Sequence, residues 1–287
     1  MLGVRGSVGQ PGGRFLERTL DGFPAWGAIV SYEGAPPDAV TKPFPTKNLR
    51  FYLTAPSPCP YLPGRRERKV FTALDGPEAP GLNDALTHAG FRRSQNIAYR
   101  PACDGCDSCI SARVAAEPFE FTRRWRRIVS RNADLARSLR PAEATEEQYW
   151  LLRRYLNSRH AEGGMADMTM SDYAAMVEET GVRTHIVEYR YTAPGADRGE
   201  LAAAALVDVL GDGLSLVYSF YAANDAKRSL GIYTILDHIQ QARAAGFAHV
   251  YLGYWIPGSD KMAYKAEFKP LELLLGGEWR RYVPVEF

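Results

Sequence analysis

The run Leu214-Ser215-Leu216-Val217-Tyr218-Ser219-Phe220-Tyr221, followed by Asn224-Asp225-Ala226-Lys227-Arg228-Ser229-Leu230-Gly231-Ile232-Tyr233, decides the fold. Its first eight residues are rich in large apolar and aromatic side chains and read as a strand. From Ser229 onward, Ile232, Ile235, Leu236, Ile239 and Ala242 recur at helical spacing, and Gly246 suits the left-handed residue that closes a helix. Residues 250–255, Val-Tyr-Leu-Gly-Tyr-Trp, read as a further strand. The start of the helix offers free backbone N–H groups and the positive end of its dipole beside Arg228, a setting that favours an anion.

Working outward, helices and strands keep alternating. Thr184–Tyr191 and Leu201–Val209 read as strands, and Gly211-Asp212-Gly213 turns the second into the 214–221 strand as a hairpin. Thr145 ahead of Glu147 and Gln148 has N-cap character, with Tyr149, Leu152, Tyr155 and Leu156 on the apolar face of the helix it opens. Pro141 ends the preceding pattern and marks the expected junction between two domains, 46–140 and 141–287. Before it, residues 119–139 read as one helix, with Trp125, Ile128, Asn132 and Leu135 on one face and Arg123, Arg127 and Arg131 on another. Residues 79–89 form an earlier helix closed by Gly90, and residues 48–54 the first strand. Residues 1–45 hold eight glycines and six prolines with little periodicity, which predicts a disordered leader. The chain therefore reads as a mixed α/β (α+β) protein.

With 287 residues and 46% apolar content, there is material for two cores. No apolar run approaches the ~18–20 residues that span a bilayer, and the N-terminus lacks the pattern of a signal peptide. A cytoplasmic protein without a membrane partner is expected, acting as a monomer. The net charge of +2 conceals an asymmetry. Residues 47–140 carry 17 Lys and Arg against 9 Asp and Glu, whereas residues 141–287 carry 14 against 20. Such polarity suits one half that faces phosphate.

Three of the four cysteines lie in Cys103-Asp104-Gly105-Cys106-Asp107-Ser108-Cys109, and the fourth is Cys59. Four thiols in a reducing compartment suit a metal or a reactive site better than disulfides. Cys59, Cys103, Cys106 and Cys109 could close a four-thiolate zinc site, and the same spacing begins iron–sulfur cluster motifs. Spacing alone does not separate these, nor exclude thiols packed as small hydrophobes. Around them arginines interleave with aromatics: Arg65 after Tyr61, Arg92, Arg93 and Arg100 around Phe91 and Tyr99, and Arg123 and Arg127 around Trp125. Cations that hold phosphate and rings that stack on unpaired bases suit a folded RNA with a single-stranded end.

The strand–loop–helix–strand unit resembles the N-acetyltransferase superfamily, whose Arg/Gln-x-x-Gly-x-Gly/Ala loop holds a cofactor pyrophosphate. Here Arg228-Ser229-Leu230-Gly231 keeps the first half and Tyr233 replaces the second small residue, so an aminoacyl ester on a nucleotide is expected in place of coenzyme A. Further motifs complete a more specific likeness. Pro58 to Arg65, Gly90 to Ser94, Tyr99-Arg100-Pro101 with its three cysteines, Arg159-His160 with Gly163-Gly164-Met165, Arg228 to Gly231, and Tyr251 to Ile256 through Lys261 to Lys265 resemble the bacterial leucyl branch of the arginyl-tRNA–protein transferase family. The resemblance covers about Asn48 to Tyr282. It implies an acetyltransferase-like catalytic domain that moves leucine from leucyl-tRNA to the α-amine of proteins beginning with Asp or Glu, marking them for degradation. No cofactor is required for that chemistry, because the ester is already activated.

Within this reading, Tyr218, Ser219 and Tyr221 are the candidates beside the acyl ester, with Arg228, Ser229 and Gly231 holding the nucleotide. His160 is a candidate base or recognition residue. Lys261, Tyr264 and Lys265 are the candidates for the acidic acceptor. The rivals are arginyl transfer, coenzyme A-dependent N-acetylation, and a non-catalytic thiol-metal module that binds RNA.

Overall fold

The computed structural model describes residues 49–159, 165–195 and 197–283. The leader over 1–45, Asn48 and His160 lie outside the described residues. The chain starts with β1 (Tyr52–Leu53), β2 (Ser57–Pro58), β3 (Arg66–Glu67) and β4 (Lys69–Ala73). Helix α1 (Ala79–His88), β5 (Arg92–Ser94) and β6 (Ile97–Pro101) follow. A four-stranded sheet forms in the order β1-β4-β6-β5, and α1 lays Leu82 and Leu86 against Leu74, Phe91 and Ala98. The expected first strand is thus only its Tyr52–Leu53 part. Gly90 closes α1 at φ +87°, and a Cβ there would come within 2.6 Å of Leu274 Cδ2, so both backbone and space require glycine.

Strand β7 (Ile110–Ala115), helix α2 (Arg123–Arg131) and β8 (Leu135–Pro141) come next. The single helix expected over 119–139 is corrected to a helix and a strand. Asn132 ends the helix by turning its amide onto Ile128 O and Arg228 O, each at 2.9 Å. Leu135 and Leu139 lie four residues apart, a spacing that fits a helical face and one face of a strand equally. Here both are buried on a strand that pairs with its neighbour from Leu135↔Tyr191 to Pro141↔His185.

The remaining elements are α3 (Glu146–Arg159), α4 (Met170–Glu178), β9 (Thr184–Tyr191), β10 (Leu201–Val209), β11 (Gly213–Tyr221), α5 (Leu230–Ala244), β12 (His249–Trp255), α6 (Asp260–Ala263), β13 (Leu271–Leu275) and β14 (Glu278–Arg281). Thr145 and Gln148 cap α3 reciprocally, Gln148 N donating to Thr145 Oγ1 at 3.2 Å and Thr145 N to Gln148 Oε1 at 3.1 Å. An eight-stranded sheet runs β14-β13-β7-β12-β11-β10-β9-β8. It takes β7 and β8 from before Pro141, so the reversal of charge at that proline coincides with no break in the sheet.

Every residue of β10 is buried, because helices cover both faces of the sheet. Ala202, Ala203 and Ala205 meet the core shared with α2 and α5, and Ala204 meets that of α3 and α4. Between the two sheets, Arg93 donates to both carboxylate oxygens of Asp208, at 2.6 and 2.8 Å, with both side chains 1% exposed. Thr184 Oγ1 donates to the same carboxylate at 2.8 Å. The expected RNA-binding role of Arg93 is therefore corrected to a buried tie between sheets.

Arg93→Ala leaves the Asp208 carboxylate buried without its cation, and a loss of ~3–5 kcal/mol is expected in chemical denaturation. Asp84 provides a pH signature. Its carboxylate accepts from Gly211 N at 3.0 Å and pairs with Arg183 at 3.2 Å, yet burial raises its pKa from 3.8 to about 6. With the folded value above the unfolded one, its ionisation lowers stability as pH rises from about 4 to about 6. Thermal melts of Asp84→Asn should accordingly lose less stability than the parent between those limits, by ~2–3 kcal/mol.

Candidate active site

Strands β11 and β12 are the one parallel pair in the large sheet as described, and they stay together only over Gly213–Ser215 and His249–Tyr251. Beyond that point β11 remains with β10 and β12 with β7, so the two part into a fork. Helix α5 connects them, which is the unit read from the sequence. Two cations fill the fork. Arg92, arriving from β5, donates Nη2 to Val217 O at 3.0 Å and Leu216 O at 3.3 Å, so its expected role as a tRNA contact is corrected to a tie onto backbone carbonyls. Lys265, from the 3-10 turn Tyr264–Glu267, donates Nζ to Leu252 O at 2.8 Å and Tyr254 O at 2.6 Å. Its residue is only 4% exposed, so the expectation that Lys265 meets an acidic substrate side chain is corrected: the amine is committed to backbone carbonyls. Burial, reinforced by the charge of Arg92, pushes its pKa well below the usual lysine value. Lys261 is exposed on α6.

Four tyrosines gather at the fork. Tyr155 from α3 lies 4.9 Å from Tyr221 between ring centroids. Tyr218 and Tyr264 are close enough to influence the same phenol. Burial is the main cause that raises Tyr155, Tyr218 and Tyr264, with Tyr218 pushed up to about 12. At neutral pH these phenols keep their protons and are hydrogen-bond donors. Ser219 lies between Tyr218 and Tyr221 on the strand, opposite Ala205. The structure thus brings Tyr218 and Tyr221, read beside the ester, together with Tyr264, read with the acceptor, and adds Tyr155, which the periodicity presented merely as an apolar-face residue.

The expected anion site at the start of α5 is arranged differently. Arg228 holds Asp134 at 2.6 and 2.9 Å and Asp225 at 2.6 Å, and these carboxylates raise its pKa further. The Tyr221 ring covers Gly231, where a Cβ would lie 2.8 Å from Tyr221 Cε1. Ser229 adopts φ +54° and makes no side-chain cap. Tyr233 points into the core, edge-on to Tyr189 at 5.6 Å. Close by, α2 exposes Arg123, Arg124, Arg126, Arg127 and Arg131. Among the described residues Arg123 and Arg127 have no protein partner, while Arg124 pairs with Glu267.

The four cysteines line one cavity of about 570 Å³ together with Tyr61, Arg65, Lys69, Tyr99, Arg100 and Tyr254. Arg100 lies 5.1 Å over the Phe91 ring. Backbone N–H groups of Leu62 and Arg68 point at Cys59 Sγ and Cys103 Sγ, each at 3.4 Å. Burial pushes Cys109 up to about 11, with the other three thiols adding to it, whereas a hydrogen bond with Ser108 lowers Cys106. Among the described residues no group of three or more His, Cys, Asp or Glu is placed to hold a metal ion. The expected zinc or iron–sulfur centre does not fit the thiols as they stand.

The sequence profile of arginine-tRNA-protein transferase, N terminus, matches residues 57–127, and that of arginine-tRNA-protein transferase, C terminus, matches residues 147–275. The chain is 60% identical over 240 residues to the aspartate/glutamate leucyltransferase of Caulobacter vibrioides, covering 84% of this chain and 86% of that one. Identity to the aspartate/glutamate leucyltransferase of Phenylobacterium zucineum is 59%, over 84% and 93% of the two chains. Among solved structures, FemX superposes with a TM-score of 0.43 at 9% identity, covering 76% of this chain and 84% of that one. The two profiles and the two leucyltransferases place the protein among the aminoacyltransferases. The chain belongs to the arginine-tRNA-protein transferase family.

Tyr218→Phe removes one half-buried donor from the fork while keeping the ring. Single-turnover aminoacyl transfer should slow ~10–100-fold, with KM for the charged tRNA within about twofold of the parent.

Proposed function

We propose that this chain transfers leucine from leucyl-tRNA to the α-amine of proteins that begin with Asp or Glu, acting as a monomer in the cytoplasm. The observation that carries the reading is the 60% identity, over most of both chains, to a protein named for that activity. The geometry supports it in three ways. The α2 ridge, with Arg123 and Arg127 unpartnered, suits an RNA backbone beside the fork. The fork itself gathers protonated phenols beside which an ester can be aligned. Arg65 and Arg100, in the cavity that shares Tyr254 with the fork, give a negatively charged group a place to dock.

In this scheme the acceptor amine, once deprotonated, attacks the ester carbonyl. The C–N bond forms, the carbon–oxygen bond to the ribose breaks, and the ribose oxygen leaves with a proton. Tyr218 and Tyr264 donate to the oxyanion or to the departing oxygen, and alignment of amine and carbonyl supplies much of the rate. Coenzyme A is disfavoured as donor, because the helix start where its pyrophosphate would dock is covered by Tyr221 and the nearby Arg228 is matched by two carboxylates. No helix is long and apolar enough to cross a membrane among the described residues.

Purified protein should append leucine to Asp- and Glu-headed peptides at least ~10-fold faster than to Ala-headed ones, and prefer leucyl- over arginyl- or phenylalanyl-tRNA by a similar margin. The check is isotope transfer from each charged tRNA and from acetyl coenzyme A. Transfer from arginyl-tRNA alone, or from acetyl coenzyme A alone, would sink the assignment.

A further inference from the structure

The two fork strands each carry a bulge where they part. On β11, Leu216 pairs with Val207 and Tyr218 with Leu206, so Val217 has no partner on β10. On β12, Tyr251 pairs with Arg113 and Gly253 with Ala112, so Leu252 has no partner on β7. A bulged residue leaves the ladder, and its carbonyl must find another donor. Both find a cation: Val217 O takes Arg92 and Leu252 O takes Lys265.

The β11 bulge has a direct consequence for the site. In a regular strand, residues two apart share a face. Leu216 packs in the core shared with α5, whereas Tyr218 packs against the core of α3 and α4. The extra residue, Val217, is what moves the Tyr218 ring to the face where Tyr155 stands. Arg92 holds that residue through Nη2, which donates to two successive carbonyls, while the flat guanidinium lies against Gly253, a fit that a lysine side chain does not reproduce. The arginine is itself pinned. Gly253 has φ +73°, and a Cβ there would sit 1.9 Å from Arg92 Nη1. The Tyr254 ring lies 5.9 Å from the guanidinium carbon. Among the described residues no carboxylate ion-pairs with Arg92 or Lys265, so nothing competes with the carbonyls for either cation.

We propose that Arg92 is a positioning residue for aminoacyl transfer, acting through Tyr218: it fixes the Val217 bulge and so sets which face of the sheet the phenol occupies. The inference rests on the fork being the transfer site. Three variants test it: Arg92→Lys, Tyr218→Phe and the double variant, each checked for a native melting transition.

Arg92→Lys should slow leucine transfer at least ~10-fold, with KM for leucyl-tRNA unchanged. The double variant should be no slower than Tyr218→Phe alone, because the proposed effect of Arg92 runs through the Tyr218 phenol. A rise in KM with kcat intact would make Arg92 a tRNA contact, and additive losses in the double variant would make it independent of Tyr218. Either result overturns the proposal. A readout free of turnover separates this from failure of the leucyl assignment: the ring carbon NMR signal of Tyr218, identified by its loss in Tyr218→Phe. It should shift in Arg92→Lys whichever tRNA proves to be the donor, and an unmoved signal refutes the role. Should Arg92→Lys not fold, the same signal is read in Arg92→Ala with and without added guanidinium, which should restore it.

Discussion

Everything at the site follows from one restriction on hydrogen bonding: β11 and β12 share a ladder for only three residue pairs and then must satisfy their inner edges by other means. Strands in mid-sheet ordinarily meet backbone with backbone, and an opening exposes polar groups that water or side chains must cover. Two long cationic side chains perform that task here, one from each direction. They turn what would be a weakness in the sheet into an opening whose carbonyls are satisfied. The tyrosines gather beside it.

Charge is distributed to match. The arginine-rich half uses its cations in two distinct ways. Arg92, Arg93 and Arg113 are drawn inward, bonded to carbonyls or carboxylates or packed on rings such as Trp279 at 4.4 Å. The arginines of α2 stay outward. Only the second group contributes a field that a polyanion can feel at a distance, since paired and buried charges are largely cancelled locally. An excess of basic residues in a sequence therefore overstates the surface that faces RNA.

How much could be read in advance depends on how local the cause is. Strands β9 and β10, the capped start of α3 and the end of α5 at Gly246 were legible because propensity, alternation and caps all act within a few residues. Tyr218 and Tyr221 were read beside the ester and Tyr264 with the acceptor, and their gathering around Tyr155 is visible only in the fold. Local reasoning failed on 119–139, where the Leu135 and Leu139 spacing fits both periods and only pairing with β9 selects a strand. Arg93 and Lys265 were misread for another reason: nothing nearby in the chain announces Asp208, 115 residues away, or a fork whose carbonyls lack partners. The glycine within β12 was the one available hint, since a glycine inside a strand often marks a close approach, here by the guanidinium of Arg92.

Strand β7 has neighbours made much later. It lies between β12 and β13, and Arg113 at its centre reaches Tyr251 and Glu272, 138 and 159 positions further along. During synthesis this strand must wait, with both edges open, until nearly the whole polypeptide has left the ribosome. Contacts of such long range are slow to form and expose sticky edges meanwhile. An unfinished chain therefore leaves the fork incomplete, and β7 gains both neighbours only once β12 and β13 have been made.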